Sequence, residues 1–392
     1  MTLGPNSTGR EPLSSNCLTL LQFRLPKPSH TMSELLRTAL CRDTPMIDVR
    51  APVEYAQTAL PFVQNLPILS DDEREQVGIC YKNEGQAAAT ALGHRLVSGE
   101  TKARRIQGWV AFIENHPDAL LFCARGGMRS KLATQWLNDV GYSVTRVEGG
   151  YKQIRQLLVE QYPVNPARLL ILAGSTGVGK TEVLVQDPVH IDLEGLANHR
   201  GSAFGTRVTE QPPQTVFENM LGVQLLKWRS AASGLLLLED EGRLIGRLHL
   251  PPPLQAAMKT APLVVLQASF EARARRIHQD YILDNWRRFE GVYGDDAFTA
   301  FSEYLLQALH SIKKRLGGVG FEACQNKLSD ALLLQSRGDT SGHLGWIEYL
   351  LANYYDPMYT YQLNQKAERI VFRGEAADTR DYLADARAKR GS

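Results

Sequence analysis

Apolar positions fall along this chain in short blocks that switch between the periods of strands and helices. Between Met32 and Pro166 the pattern predicts a helix over Ser33–Leu40, a strand over Pro45–Val49 and an Ala-rich helix over Ala87–Leu96. It continues with a helix near Ile106–Glu114 and a short, fully apolar strand at Ala119–Phe122. An amphipathic helix at Arg129–Val140, ended by Gly141, leads to a strand at Val144–Val147 and a helix at Tyr151–Gln161. Short continuous apolar runs read as buried strands, and apolar residues three and four apart read as helix faces. Alternation of the two predicts a mainly parallel sheet with helices on both faces.

Pro163–Pro166 reads as a linker, and a second alternating block follows it. Its strands are predicted at Leu169–Ala173, Val189–Asp192, Leu235–Leu238 and Leu263–Gln267, with the clearest helix at Thr215–Trp228. From Phe298 the pattern turns mostly helical, through Leu305–Arg315, Lys327–Leu334 and Leu344–Tyr354. The expected organisation is a Ser-, Pro- and Asn-rich disordered leader over 1–31, an α/β domain over 32–163, a second α/β domain over 167–325 and a mainly helical part over 326–392.

A length of 392 residues with 43% apolar and 22% charged positions gives two or three such domains enough material for their own cores. The net charge of +2 means that any nucleic acid must be held by a local patch. Five cysteines without a Cys-x-x-Cys pair argue against a disulfide framework and a structural zinc site, so no metal ligands are assigned among them. The chain has no apolar run long enough to span a membrane and no basic-then-apolar start typical of a signal peptide, which makes the cytoplasm the expected compartment.

Two segments carry chemistry. Gly174-Ser-Thr-Gly-Val-Gly-Lys-Thr181 follows an apolar strand and opens a helix. In that context it predicts a phosphate-binding loop made of Gly174, Ser175, Thr176, Gly177, Val178, Gly179, Lys180 and Thr181. The amides of Gly177, Val178, Gly179 and Lys180 would face phosphate oxygens, Lys180 would add charge, and the Thr181 hydroxyl could reach a metal. The acids Asp192 and Glu194, after one strand, compete with Glu239-Asp240-Glu241, after another, to orient that metal. The residues leave Mg2+ itself open.

The second segment is Cys123-Ala-Arg-Gly-Gly-Met-Arg-Ser130, also directly after an apolar strand. Loop amides and a following helix N-terminus favour negative charge on sulfur. Arg129 would add charge and fork onto an oxyanion. Such a thiolate can attack an electrophilic centre and hold a covalent intermediate. Cys17, Cys41, Cys80 and Cys324 lack these surroundings and read as packing residues, with Cys80 the one candidate for a second thiol.

Residues 45–160 resemble a rhodanese domain, through Asp48-Val-Arg50 with Glu54-Tyr55, the Cys123 loop and Val147-Glu-Gly-Gly-Tyr151. Arg129 stands six residues after the cysteine, one more than in most sulfur transferases, a loop length also seen in rhodanese-like phosphatases. From Met32 to the end the chain resembles the tRNA 2-selenouridine synthase family. The match adds the Gly174–Thr181 loop, Asp192-Leu-Glu-Gly-Leu-Ala-Asn-His-Arg-Gly201 and Tyr355-Asp-Pro-Met-Tyr359. The resemblance implies a transferase that geranylates a wobble 2-thiouridine of tRNA with geranyl diphosphate. Selenium from selenophosphate then replaces the geranylthio group. It places Cys123 in the selenation step and the phosphate loop at the prenyl diphosphate. It leaves room for a selenophosphate-supplying enzyme as partner. The alternative reading is a rhodanese-like sulfurtransferase or phosphatase regulated by a nucleotide-binding loop; the cysteine-loop length permits a phosphatase, but the loop has no acid to protonate a leaving alkoxide.

For the RNA, the basic clusters are Lys102–Arg105, Arg273–Arg276 and Lys313–Arg315. Trp286-Arg-Arg288 with Phe289 and Tyr293 interleaves aromatics and charge in the manner of a surface that stacks an unpaired base. His199-Arg200-Gly201 reads as a substrate-facing loop near the phosphate loop.

Overall fold

The computed structural model describes residues 31–231 and 234–391. The expected leader therefore lies, apart from Thr31, outside the described residues. Thr31 caps the first helix, Met32–Cys41: its hydroxyl accepts from Glu34 N, and the Glu34 carboxylate accepts from Thr31 N. These reciprocal bonds satisfy amides that a helix start leaves open.

The N-terminal strands are β1 (Met46–Asp48), β2 (Val63–Asn65), β3 (Leu120–Phe122) and β4 (Thr145–Arg146). They form one sheet in the order β2-β1-β3-β4, with every pairing parallel. The second sheet is built from β5 (Leu169–Gly174), β6 (His190–Ile191) and β7 (Leu236–Glu239). A small antiparallel hairpin of β8 (Leu244–Ile245) and β9 (Leu248–His249) follows, then β10 (Leu263–Leu266) and β11 (Ile370–Gly374). Its order is β11-β10-β5-β7-β6, again parallel throughout. Helices cover both faces, so every residue of β5 is buried and its sequence reads as one apolar run.

Strand β11 ties the residues after 325 back to the second sheet. The chain leaves the second sheet after β10, builds a helical layer, and returns at Ile370–Gly374 to add the edge strand. The helical layer has its own core around Phe301, Leu305, Leu328, Trp346 and Leu350.

Helix Gln214–Ser230 joins the two α/β units. Phe217, Leu221, Leu225 and Trp228 pack into the core of the second sheet. Val223 and Leu226, on the other side, pack with Leu36, Leu40, Ile154 and Leu158 of the first unit. Buried Asn219 donates to the carbonyls of Thr58 and Ala59 at 3.1 and 3.0 Å. Arg155 pairs with Glu218 across the same seam. The helix carries apolar residues on two faces, and each is buried by a different domain.

Candidate functional site

The sulfur of Cys123 stands just beyond β3, in the turn before helix Met128–Asp139, and the residue is 2% exposed. The turn closes against the Gly149-Gly150 corner. Tyr151 N donates to Cys123 O at 2.8 Å and Lys152 N to Ala124 O at 3.0 Å. A Cβ on Gly150, whose φ is +60°, would lie 2.1 Å from Cys123 O, so only glycine lets the two segments meet. The Arg146 guanidinium donates to Gly126 O at 2.7 Å and holds the turn from below.

Two partners of this cradle were not assigned from the sequence. Cys123 Sγ donates to the buried hydroxyl of Ser130, 3.2 Å away, one turn into the helix. Arg129 forks onto Glu54, with contacts of 2.5 and 3.0 Å, where the sequence reading placed an oxyanion. It also lies within electrostatic reach of Cys123. Burial alone would lift the Glu54 carboxyl; the Arg129 guanidinium outweighs it and holds the group below its ordinary range. Buried Asp48 and Arg50 form a further forked pair, with Arg50 stacked 4.3 Å over the Tyr151 ring. The Asp48-Val-Arg50 and Glu54 motif residues thus brace the cradle from the β1 side.

The phosphate loop runs from the end of β5 into helix Lys180–Gln186. Gly179 has φ +92°, a conformation that L side chains rarely adopt. Lys180 Nζ reaches back to Gly174 O at 3.4 Å. Of the amides expected to face a ligand, that of Val178 donates to Ser175 O within the turn itself. The loop is braced from outside by Arg276, which donates to Gly177 O at 2.9 Å, and by Arg273, which donates to Thr176 O at 3.4 Å while forking onto Asp356 at 2.7 and 2.6 Å.

The competition among acids resolves geometrically. Asp192 caps a short helix through Gly195 N, and Asp240 pairs with Lys366. Glu239, at the end of β7 beside β5, accepts from the Thr181 hydroxyl at 3.2 Å. Glu194, Glu239 and Glu241 each offer an oxygen, all within 4.8 Å of one another. Burial pushes all three carboxyls up, to between about 7 and about 8. Neighbouring carboxylates add to the shift, and Lys180 pulls against it. The cluster therefore holds protons at neutral pH that a divalent cation would displace. An all-oxygen donor set of this kind suits a hard cation.

A cleft of about 700 Å³ opens above the loop. Arg200, Gly201, Arg207, Tyr281, Arg315, Tyr355 and Tyr359 line it together with the loop and the acids. This places Arg200 and Gly201 as expected; the buried His199 instead accepts from Gly201 N and shapes the turn. Arg207 Nε and the Tyr359 hydroxyl are buried and unpartnered among the described residues.

The RNA candidates separate. Arg273 is buried on Asp356, and Arg276 pairs with Glu182, so that cluster serves the loop. Trp286 and Phe289 pack edge-on against Phe301 in the helical core, so they do not offer rings for base stacking. In the N-terminal cluster, Arg105 pairs with Glu73 and Lys102 lies over Trp136. Lys313, Lys314 and Arg315 are exposed, and Arg315 reaches the cleft.

Comparison with known proteins gives one consistent relation. The family described as the tRNA 2-selenouridine synthase AAA domain matches residues 167–390. The chain is 49% identical over 336 residues to the tRNA 2-selenouridine synthase of Marinobacter nauticus, spanning 85% of this chain and 92% of that protein. It is 49% identical over 346 residues to the tRNA 2-selenouridine synthase of Hahella chejuensis, spanning 87% and 91%. The protein of the same name from a Pseudomonas putida strain is 49% identical over 353 residues, spanning 89% and 95%.

Proposed function

The chain belongs to the tRNA 2-selenouridine synthase family, and from that premise we propose a two-site transferase that modifies one wobble 2-thiouridine in two steps. In the first, the thiocarbonyl sulfur attacks the C1 carbon of geranyl diphosphate. The C–S bond forms as the C–O bond breaks, diphosphate leaves with the bonding pair, and the base loses its N3 proton. In the second, selenium of selenophosphate adds to the carbon bearing the geranylthio group. Geranylthiol leaves with a proton, and hydrolysis of the Se–P bond releases phosphate.

The phosphate loop is assigned to the diphosphate. Gly174, Ser175, Thr176, Gly177, Val178 and Gly179 form the turn, Lys180 supplies the charge, and Thr181 faces Glu239. Charge on a departing diphosphate is met by donors already in place, which is where fixed electrostatics lowers a barrier most. Mg2+ fits the oxygen cluster of Thr181, Glu194, Glu239 and Glu241; when bound it would supply further positive charge against the leaving group. Cys123 is assigned to the second step, with Ser130 and the Arg129–Glu54 pair positioning its loop. On this reading residues 32–163 are a rhodanese-like domain and 167–325 the phosphate-loop domain, with 326–392 completing its sheet. Partners are a tRNA and a selenophosphate source, and the expected compartment is the cytoplasm. Among the described residues no helix is long and apolar enough to cross a membrane.

The observation that carries this reading is the union of the two cradles. A cysteine turn after β3 and a phosphate loop after β5 are tied by one buried helix, Gln214–Ser230. Alkylation turns a poor sulfur leaving group into a good one, which explains why displacement chemistry and diphosphate chemistry share a chain. The phosphate loop would equally cradle ATP or GTP. Titration calorimetry with geranyl diphosphate, ATP and GTP separates the readings: geranyl diphosphate should bind, and ATP binding with turnover in its absence would replace this proposal with a nucleotide-driven one.

A further inference from the structure

A second cleft, of about 820 Å³, lies on the N-terminal unit between helix Asp71–Leu96 and the cysteine-loop helix Met128–Asp139. Ile68 and Trp136 in its lining belong to the same hydrophobic core as Cys123, with Leu132 packed against that core. Its sides carry large apolar groups left in water: Ile79 is 53% exposed, Tyr81 58% and Met128 47%. Contiguous apolar surface of this kind on a soluble domain marks a binding site, and the volume lies in the range of small-ligand pockets. Helix Asp71–Leu96 is broken at Gly85, whose φ is +85°, so its two halves wall the cleft at different angles.

The cleft is continuous with the cysteine cradle. Glu54, Met128 and Arg129 line it, and Met128 and Arg129 open the helix that carries the Cys123 turn. Lys82 also lines it and supplies positive charge suited to the backbone of an RNA, while Arg74 in its wall pairs with Glu54 at 3.3 Å. The phosphate-loop cleft is lined by charged groups around Lys180 and the glutamates together with Leu244, Tyr281, Tyr355 and Met358, and there a prenyl chain enters as part of the diphosphate donor.

We propose that this cleft seats the prenyl chain of the geranylthio-nucleotide while its base is presented at the Cys123 loop. The inference rests on the two-step reading above and adds to it the location of the tail. A chain already seated beside the cysteine favours the geranylated base over the unmodified thiouridine at the second step, and keeps the departing geranylthiol out of the phosphate loop.

The test uses the full-length protein and a short anticodon stem-loop RNA carrying either S-geranyl-2-thiouridine or 2-thiouridine. The double variant Ile79→Ser, Tyr81→Ser changes two exposed positions without adding charge, and its thermal unfolding is compared with wild type to confirm the fold. Wild type should bind the geranylated RNA more tightly. The variant should lose about tenfold of that preference, the scale of one or two buried methylenes. It should raise KM for selenation of the geranylated RNA, with the affinity for thiouridine RNA unchanged. A variant that keeps the wild-type preference and KM overturns the assignment of the cleft, including the case in which it docks a protein. Wild type that neither prefers nor converts the geranylated RNA overturns the two-step reading itself, a distinguishable result.

Discussion

Lys180 and Gly179 do different work in one loop, and their substitutions should fail differently. Lys180→Ala removes a charge and leaves the turn. Gly179→Ala forces a Cβ at φ +92°, 3.0 Å from the Arg276 guanidinium, and so displaces the turn itself. Lys180→Ala should cost about a hundredfold or more in geranylation rate, as losing a transition-state donor does, while selenation of pre-geranylated RNA persists. Assays of the two half-reactions on separate RNA substrates check this.

The glutamates beside Lys180 make a second residue-level prediction. Their folded pKa values are raised above the ordinary carboxylate range. The folded protein therefore retains protons there as pH rises to about 7 or 8, and this costs stability across that window. A divalent cation must displace those protons. Titration with Mg2+ at pH 7 in buffers of different ionisation enthalpy should show proton release and tighter binding as pH rises toward 8. Glu239→Gln should reduce the proton release, because Glu194 and Glu241 remain. Pronounced Mg2+ binding without proton release would contradict the shared-proton cluster.

Among the elements, His343 links the helical layer to pH. It is fully buried, accepts from Trp346 Nε1 at Nδ1, and faces Gln335 Oε1 through Nε2 at 2.7 Å. Those partners require the neutral ring. Burial, aided by His278, lowers its pKa to about 4. A histidine depressed in the folded state leaves stability intact above its unfolded pKa and withdraws it as pH falls. The loss between pH 6.5 and 4 should run at about 1.4 kcal/mol per pH unit. Urea unfolding at pH 7 and pH 5 should show a larger loss for wild type than for His343→Gln, and equal losses would exclude the histidine as the cause.

The same scale shows what a sequence discloses. Strands β1, β3, β5, β7 and β10 lie inside their sheets, and their short apolar runs were legible. Edge strands β2 and β11 are half-exposed and alternate in burial; β2 carries Gln64 and Asn65 between prolines, and β11 sits among charged residues, so they left almost no run to find. The first half of helix Asp71–Leu96 is polar and lacks a periodic stripe. Its available signal was the capping box, in which Ser70 and Glu73 satisfy each other's amides. The π-helical turns at His278–Leu283 and Leu351–Tyr355, which deliver Tyr281 and Tyr355 to the phosphate-loop cleft, carry no compositional mark at all. At the candidate site, the motif residues were visible because glycine, cysteine and lysine at fixed spacing have few other uses. The partners Ser130, Glu54 and Glu194 became assignable only when tertiary structure set distances.

For the whole molecule, the question is how one tRNA reaches both cradles. With a net charge of +2, the RNA depends on local charge. The exposed run Lys313, Lys314 and Arg315, with Arg315 at the cleft, is the surface best placed for it on the phosphate-loop side. Reversing all three to glutamate should weaken tRNA binding and flatten its salt dependence by about one unit of slope for each phosphate no longer neutralised. Reversing Arg287 and Arg288 should do less, because the neighbouring rings Trp286 and Phe289 belong to the core. If neither change alters affinity or slope, the RNA lies on the N-terminal side, around Lys102 and Arg104.

The central claim is that one chain holds two separable chemistries, and nucleoside mass spectrometry of bulk tRNA tests it most directly. Cells lacking the gene are complemented with wild type, Cys123→Ser or Lys180→Ala. Wild type should yield 2-selenouridine, Cys123→Ser should accumulate the geranylated thiouridine without selenouridine, and Lys180→Ala should leave 2-thiouridine. Loss of both the geranylated and the selenated nucleoside in Cys123→Ser, with the protein folded and still binding tRNA, would contradict the two-site account.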